Sequence, residues 1–176
     1  MKRKAKGRGE SRGSDLYEVR KSGIQGRGVF ATRRIRPGQK IVEYTGEKVT
    51  NDEADARYDE DGMERHHTFL FTLDDDYCID GDVPSNKAKL INHSCDPNCE
   101  AIIDGDHIWI YALKNIQPGV ELAYDYQYER TGDNIAELEK FYVCRCGSEK
   151  CRGSIMAPPK KRKKRKKSPK KTSAKK

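Results

Sequence analysis

The stretch Leu90-Ile-Asn-His-Ser-Cys-Asp-Pro-Asn-Cys99 decides how the rest of this chain is interpreted. Between Asn92 and Cys99 it contains two amides, an imidazole, a hydroxyl and two thiols, with Pro97 stiffening the turn. A core strand would alternate polar and apolar residues or be apolar throughout. This stretch does neither, so it predicts a buried polar corner that holds something. An ordinary Asn- and Pro-rich turn is the alternative.

The length and the apolar pattern limit the class of protein. A chain of 176 residues has room for one domain with a real core, plus tails. No apolar run approaches the roughly 20 residues of a membrane span. The segment Met1 to Arg12 is basic and lacks the apolar region of a secretory signal. We therefore expect an intracellular protein that is not secreted and has no membrane partner.

The net charge of +8 is distributed very unevenly along the chain. Residues 1–14 carry six Lys/Arg and one Glu, and residues 157–176 carry twelve Lys/Arg and no acid. The intervening residues 15–156 carry 18 basic and 27 acidic side chains. This asymmetry favours a polyanion as the partner of the two basic segments, which we expect to be disordered, and a basic substrate for the body. Ordinary solubility is the alternative explanation for the acidic body.

Three of the six cysteines are clustered as Cys144-Arg-Cys146-Gly-Ser-Glu-Lys-Cys151. In a chain without a secretion signal, clustered cysteines indicate a metal site before disulfides. A structural zinc site needs four ligands, so a fourth must come from elsewhere in the chain. The spacing alone leaves free thiols as the alternative. Cys78 and Cys99 are expected to be buried small hydrophobic side chains.

Short apolar runs between Gly- and Pro-containing turns predict a mainly β domain with short helices. Strands are expected at 41–44, 69–73, 77–79, 101–103, 108–112 and 122–126, and helices within 50–63 and 131–142. Strands 69–73 and 77–79 should form one hairpin around Asp74-Asp-Asp76, and strands 101–103 and 108–112 a second with Asp104-Gly105 as its turn. Thr50 or Asn51 is expected to cap the first helix. The sequences Ile35-Arg-Pro-Gly38 and Ile116-Gln-Pro-Gly119 echo each other, but one echo does not predict a repeat architecture.

The polar corner and five further motifs, in this order along the chain, resemble the SET-domain protein-lysine N-methyltransferases with a post-SET zinc segment. Those motifs are Gly26-Arg27-Gly28, Tyr44-Thr45-Gly46, Tyr77 to Asp80 with Asn86, Glu121-Leu-Ala-Tyr-Asp-Tyr126, and Cys144 to Gly153. The resemblance covers roughly Leu16 to Ile155. It implies a β-clip fold of small sheets in which the last SET motif takes part in a knot-like arrangement.

The resemblance also implies roles for individual residues. Tyr126 matches the catalytic tyrosine, and Tyr124 matches a Phe/Tyr switch position that limits how many methyl groups are added. The expected contacts to the methyl donor, S-adenosylmethionine, are Gly26, Arg27, Gly28, His67, Asn92, His93 and Tyr142. The expected substrate channel is formed by Phe69, Tyr124 and Tyr126. The expected zinc ligands are Cys95, Cys144, Cys146 and Cys151, so the metal would tie the cysteine cluster to the polar corner.

Lysine methylation makes a physical demand on such a site. The amine must be neutral to attack, and with a free lysine pKa near 10.4 neutrality at pH 7 costs about 4–5 kcal/mol. A narrow aromatic channel lowers that pKa by desolvation, and the positive sulfonium pushes in the same direction. The protein mainly has to align nitrogen, methyl carbon and sulfur.

The predicted organisation has five parts. They are a basic arm (1–14), a SET domain (15–128), a linker with a short helix (129–141), a post-SET zinc segment (142–156) and a Lys/Arg-rich tail (157–176). In the tail, Ser168-Pro-Lys-Lys171 resembles the repeats of linker-histone tails, so DNA or chromatin is the expected partner.

The expected function is transfer of methyl groups to a lysine of a histone or another DNA-packaging protein. The expected location is the nucleus or chromosome in a eukaryote, or the cytoplasm and nucleoid in a bacterium or archaeon. The alternative is a nucleic-acid-binding protein with a structural zinc site and no methyltransferase activity.

Overall fold

The computed structural model describes residues 16–58, 68–130 and 134–159. Ten short strands and two helices are present in these ranges: β1 (Tyr17–Lys21), β2 (Arg27–Ala31), β3 (Lys40–Tyr44), β4 (Glu47–Thr50), α1 (Asn51–Arg57), β5 (Leu70–Thr72), β6 (Tyr77–Asp80), β7 (Asn92–His93), β8 (Cys99–Asp104), β9 (His107–Ala112), β10 (Ala123–Tyr124) and α2 (Ile135–Phe141). A single 3-10 turn spans Ala88–Leu90. The prediction of a mainly β domain with short helices is confirmed.

The strands form four small sheets rather than one large one. Two have three strands, in the orders β3-β9-β8 and β4-β6-β5, and two have two strands, β1-β2 and β10-β7. Side chains from these sheets and from the segments between them pack into one main core, whose largest fully buried members include Ile35, Ile91, Ile108, Ile110 and Leu122. Cys78 and Cys99 are buried, as predicted.

Helix α1 begins where the sequence predicts, because Thr50 caps it. The Thr50 hydroxyl accepts a hydrogen bond from the Glu53 backbone N–H at 3.1 Å, and the Glu53 carboxylate accepts one from the Thr50 N–H at 2.9 Å. This reciprocal pair is a capping box, which satisfies two backbone donors at the helix start. Both predicted hairpins are also present, as the antiparallel pairs β5–β6 and β8–β9.

The two echoed segments are bonded to each other. Ile35 and Ile116 exchange backbone hydrogen bonds of 2.9 and 3.0 Å, and both side chains are buried. Each is followed by a turn whose glycine, Gly38 or Gly119, has φ near +80°, at 74° and 82°. The echo therefore marks two similar turns whose buried isoleucines bridge each other, not a structural repeat.

Strand β10 is shorter than predicted, and its backbone partners lie in the polar corner. It pairs in parallel with β7, and the backbone N–H groups of Ser94 and Asn98 donate to the carbonyls of Tyr124 and Ala123 at 3.1 Å each. The Asn98 side chain also donates to the Glu121 carbonyl at 2.7 Å. Residues 92–98 are thus bonded to the backbone of residues 121–124, part of the motif for which the resemblance implies a knot-like arrangement.

The C-terminal segment folds back onto the body. Isolated bridges join Tyr128 to Met156 and Val143 to Ser154, and the Met156 side chain is fully buried. Neither of the two helices in the described ranges is long and apolar enough to cross a membrane.

Candidate active site

Asn92, at the start of the polar corner, fastens the glycine-containing loop to the body. Its Nδ2 lies 3.2 Å from the Arg27 carbonyl oxygen, 3.1 Å from the Ser22 hydroxyl and 2.7 Å from Glu121 Oε1. Its Oδ1 has no hydrogen-bond partner among the described residues, so this oxygen remains available to a ligand. The cofactor residues predicted in the loop and Asn92 are therefore adjacent.

Glu121 is a site residue to which sequence reasoning assigned no role. Its carboxylate accepts hydrogen bonds from both Ser22 Oγ and Asn92 Nδ2, each at 2.7 Å. A Cβ on Gly28 would overlap the same carboxylate, so the glycine leaves the space that the carboxylate fills. The sequence offered one signal for Glu121, its position at the start of the Glu121-to-Tyr126 motif. Only the structure shows that its side chain contacts the glycine-containing loop.

Tyr124 and Tyr126, from the Glu121-to-Tyr126 motif, lie together beside the polar corner. The Tyr126 hydroxyl donates to the Ile91 carbonyl at 2.7 Å, and its ring centroid lies 4.9 Å from that of Tyr124. Burial raises the pKa of both hydroxyls well above the ordinary value, so both remain protonated at neutral pH. The residues predicted to be the catalytic tyrosine and the switch tyrosine are thus neighbours.

The cleft beside these tyrosines has a volume of about 390 Å³. Its lining is Phe71, Pro97, Cys99, Glu100, Ala101, Leu113, Tyr124, Asp125, Tyr126 and Gln127. The aromatic side chains of this lining, with the Glu100 carboxylate beside them, suit a long aliphatic side chain that ends in a cation. The predicted channel residue Phe69 is not in this lining; its ring lies under Lys89 Nζ, 4.9 Å away, and Phe71 lines the cleft instead.

His93 is buried, and its side chain faces inward. Its Nδ1 accepts the backbone N–H of Tyr126 at 3.1 Å, which leaves the ring proton on Nε2, 3.3 Å from the Cys95 sulfur. Burial lowers the pKa of His93 to about 4, so the ring is neutral. Both nitrogens are occupied within the protein, so a cofactor contact by this residue would come from its main chain.

Tyr142 belongs to a row of rings that leads to the tyrosine pair. Its centroid lies 5.2 Å from that of Tyr128, which lies 6.0 Å from that of Tyr126. The predicted cofactor residue on the C-terminal segment is therefore connected to the site by aromatic contacts. The remaining residue predicted to contact the cofactor, His67, lies outside the described residues.

The four predicted zinc ligands converge. The sulfur atoms of Cys95, Cys144, Cys146 and Cys151 all lie within 4.8 Å of one another, and those of Cys95 and Cys144 are 3.6 Å apart. Four thiolates around zinc, with Zn–S of about 2.3 Å, lie about 3.8 Å from each other. The donor set and its spacing therefore fit a closed tetrahedral zinc site.

An ion pair that the sequence analysis did not identify also joins the C-terminal segment to the body. Arg152 makes two 2.8 Å hydrogen bonds to the Asp125 carboxylate, between the two site tyrosines in sequence. The Arg152 backbone N–H also donates to the Cys95 sulfur at 3.3 Å. Such fork-to-carboxylate pairs fix orientation as well as position, so Arg152 orients this segment beside the cleft.

Comparison with known proteins agrees with this geometry. Residues 26–127 match the family described as "SET domain". The chain therefore belongs to the SET-domain family, which confirms the resemblance seen in the motifs.

Several curated histone-lysine methyltransferases are similar to this chain. The "Histone-lysine N-methyltransferase trithorax" of Drosophila virilis is 37% identical over 145 residues, which is 78% of this chain and 4% of that protein. "Histone-lysine N-methyltransferase 2B" of Homo sapiens is 36% identical over 141 residues, covering 76% of this chain and 5% of that protein. The "Histone H3-lysine(4) N-trimethyltransferase ATX1" of Arabidopsis thaliana is 39% identical over 141 residues, covering 77% of this chain and 13% of that protein. The chain thus spans only a small part of the length of these relatives.

Proposed function

We propose that this protein transfers methyl groups from S-adenosylmethionine to the ε-amine of lysine in a protein substrate. The observation that carries the proposal is the adjacency of Asn92, the glycine-containing loop and the buried Tyr124–Tyr126 pair in a chain of the SET-domain family. S-adenosylmethionine supplies an electrophilic methyl group on a positively charged sulfur.

In this proposal the chain contributes orientation and desolvation. The Asn92 amide and the loop Gly26-Arg27-Gly28 hold the donor, with Tyr142 beside it. The cleft next to Tyr124 and Tyr126 takes the lysine side chain, and its aromatic lining keeps the amine neutral by excluding water. The Tyr126 hydroxyl, protonated and fixed on the Ile91 carbonyl, orients the reacting groups.

We infer that the substrate is a histone or a similarly basic DNA-packaging protein. Two observations support this: the relatives are named as histone-lysine methyltransferases, and the acidic body suits a basic polypeptide. We place the protein at the chromosome, and in the nucleus if the source is eukaryotic.

The tail at 157–176 is proposed to bind DNA without sequence preference. Its twelve Lys/Arg without one acid support this proposal, although most of the tail lies outside the described residues. Zinc is proposed to be held by Cys95 and the three clustered cysteines, where it would have a structural role.

The test is transfer of labelled methyl from S-adenosylmethionine to mixed core histones. We expect label on histones with free lysines and none on histones whose lysines have been chemically blocked. The nucleic-acid-binding alternative, with no methyltransferase activity, predicts no label in either sample.

A further inference from the structure

The cleft beside Tyr124 and Tyr126 contains one carboxylate whose charge is not compensated. Its lining holds two carboxylates, those of Glu100 and Asp125, and no Lys, Arg or His. Asp125 is neutralised by Arg152, which donates two 2.8 Å hydrogen bonds to it. Glu100 forms no hydrogen bond or ion pair with the other described residues. Of the described residues, Glu100 therefore gives the cleft its free negative charge.

Two lysines adjoin the lining without pairing with Glu100. Lys114 follows the lining residue Leu113 in sequence, and its Nζ lies 3.3 Å from one oxygen of Asp96. Lys150 Nζ lies 3.3 Å from the other oxygen of the same carboxylate. Both lysines are thus bound to Asp96, and the Glu100 carboxylate remains open to an external cation.

Glu100 lies at the exposed rim of the cleft. It belongs to β8, which is an edge strand of the sheet β3-β9-β8. Successive side chains of a strand point to opposite faces, and the preceding residue, Cys99, is buried in the core. The Glu100 side chain accordingly points to the outer face, where it is exposed opposite Tyr111 of β9. It lies on the solvent side of the cleft, whereas Tyr124 is buried.

Apolar residues share this lining with Glu100. They are Pro97, Ala101 and Leu113, and Leu113 is 43% exposed. Such a surface can hold the methylene stem of a Lys or Arg while the charged end reaches a polar partner. It also strengthens the attraction between opposite charges, because it lowers the local dielectric constant. An exposed carboxylate that only aids solubility would need no such surface.

The cation that suits Glu100 is not the reacting amine. Methyl transfer needs a neutral target amine, and a carboxylate beside that amine would favour its charged form. In an extended peptide, the side chains two positions before and after the target lie on the same side as it, about 7 Å away along the chain. A Lys or Arg at either position can place its charge at the rim while the target lysine enters the cleft.

We propose that Glu100 selects the substrate by binding the side chain of a Lys or Arg two positions from the target lysine. This inference rests on the proposed methyl transfer and adds a specificity-determining residue to it. A basic protein contains many lysines, and general attraction to the acidic body does not distinguish them. A single carboxylate at the rim favours those lysines that have a second cation at this spacing.

The test compares three peptides that each contain one lysine, flanked two positions away on both sides by Arg, Gln or Glu. Binding of the labelled peptides, by fluorescence anisotropy, and methyl transfer, as kcat/KM, are both measured with the full chain. We expect the wild type to favour the Arg peptide over the Gln peptide by about fivefold, as for one partly exposed ion pair. Glu100→Gln should remove this preference, and Glu100→Lys should transfer it to the Glu peptide.

Asp104→Asn is the matched control, because Asp104 is exposed on the same strand but lies outside the lining. It should keep the wild-type preference. An unchanged preference in Glu100→Gln, or an equal loss in Asp104→Asn, would overturn the proposal. Thermal unfolding of each variant checks that the domain is intact.

The two readouts separate this inference from the proposed function. Equal binding of the three peptides by the wild type, with equal methyl transfer to each, would overturn the role of Glu100 and leave the methyltransferase assignment intact. Preferential binding of the Arg peptide that depends on Glu100, without any methyl transfer, would support the rim site and contradict only the proposed function.

Discussion

At the residue scale, Glu121 is expected to organise the donor site without touching the methyl group. In Glu121→Ala the half-buried Ser22 hydroxyl and Asn92 amide lose a common acceptor, which costs about 1–1.5 kcal/mol. We expect binding of S-adenosylmethionine to weaken by about tenfold or more, as measured by titration calorimetry. Glu121→Gln keeps an acceptor oxygen and should recover most of the affinity. If the Ala and Gln variants both bind like the wild type, Glu121 has no such role.

Tyr124 provides a second prediction at this scale, on product degree. The hydroxyl of a tyrosine at the switch position takes up space and holds water beside the amine, so we expect mono- and dimethyl-lysine from the wild type. Tyr124→Phe should shift the product towards trimethyl-lysine, as read by mass spectrometry of a methylated peptide. A wild type that already makes mainly trimethyl-lysine would contradict this.

At the element scale, Asp80 joins the end of helix α1 to strand β6 through hydrogen bonds. Its carboxylate accepts hydrogen bonds from Tyr58 at 2.9 Å, from Arg57 at 3.1 Å and from the Asp82 N–H at 3.1 Å. Burial alone would raise the pKa of Asp80, but these hydrogen bonds outweigh burial and lower it. These contacts therefore stabilise the fold above the unfolded pKa of Asp80, about 3.9. This stability is lost as the pH falls through the lower pKa that Asp80 has in the folded protein.

Asp80→Asn should accordingly reduce the free energy of unfolding by about 1–3 kcal/mol at pH 7. The difference from the wild type should shrink as the pH falls below about 3.9, because the unfolded chain then binds a proton that the folded carboxylate takes up only at lower pH. Denaturant unfolding at several pH values measures this. Asp55→Asn, on the exposed face of the same helix, is the control and should have little effect. A difference that is constant from pH 7 to pH 3 would show that charge is not involved.

The sequence predicted local elements well where a single signal determines them. Thr50 with Glu53 marks the start of α1, and the Asp-rich turns mark both hairpins. Strand β10 was predicted too long, because its backbone bonds go to the polar corner, which is remote in sequence. No role was predicted for Glu121, Arg152 or Phe71, because the residues that they contact are remote in sequence and are brought to them only by the fold.

At the scale of the whole molecule, the zinc site should hold the C-terminal segment against the body. We expect about one equivalent of zinc per chain, the stoichiometry of a four-thiolate site. Removing it by chelation, or by Cys95→Ser, should increase hydrogen exchange across residues 142–156 and weaken donor binding, because metal binding and folding are coupled.

Cys78→Ala is the control for zinc, because this buried cysteine lies outside the cluster. It should leave the metal content unchanged. Protein that contains no zinc and yet retains full donor binding would contradict the proposed structural role of the metal.

The charge distribution, evident from the sequence, also acts at this scale. The acidic character of the body was apparent from composition, but the pairing of Leu16 with Thr32, two residues remote in sequence, was not. The polyanionic partner that composition predicts for the basic segments stays a prediction.

The central claim is methyl transfer to lysine by the site around Tyr126. Its most direct test is intact and tandem mass spectrometry of core histones after incubation with S-adenosylmethionine and either the wild type or Tyr126→Phe. We predict methyl groups on lysine with the wild type and none with a folded Tyr126→Phe, which loses only the hydroxyl bonded to Ile91. Unmodified histones with the wild type, or equal methylation by both proteins, would contradict the account.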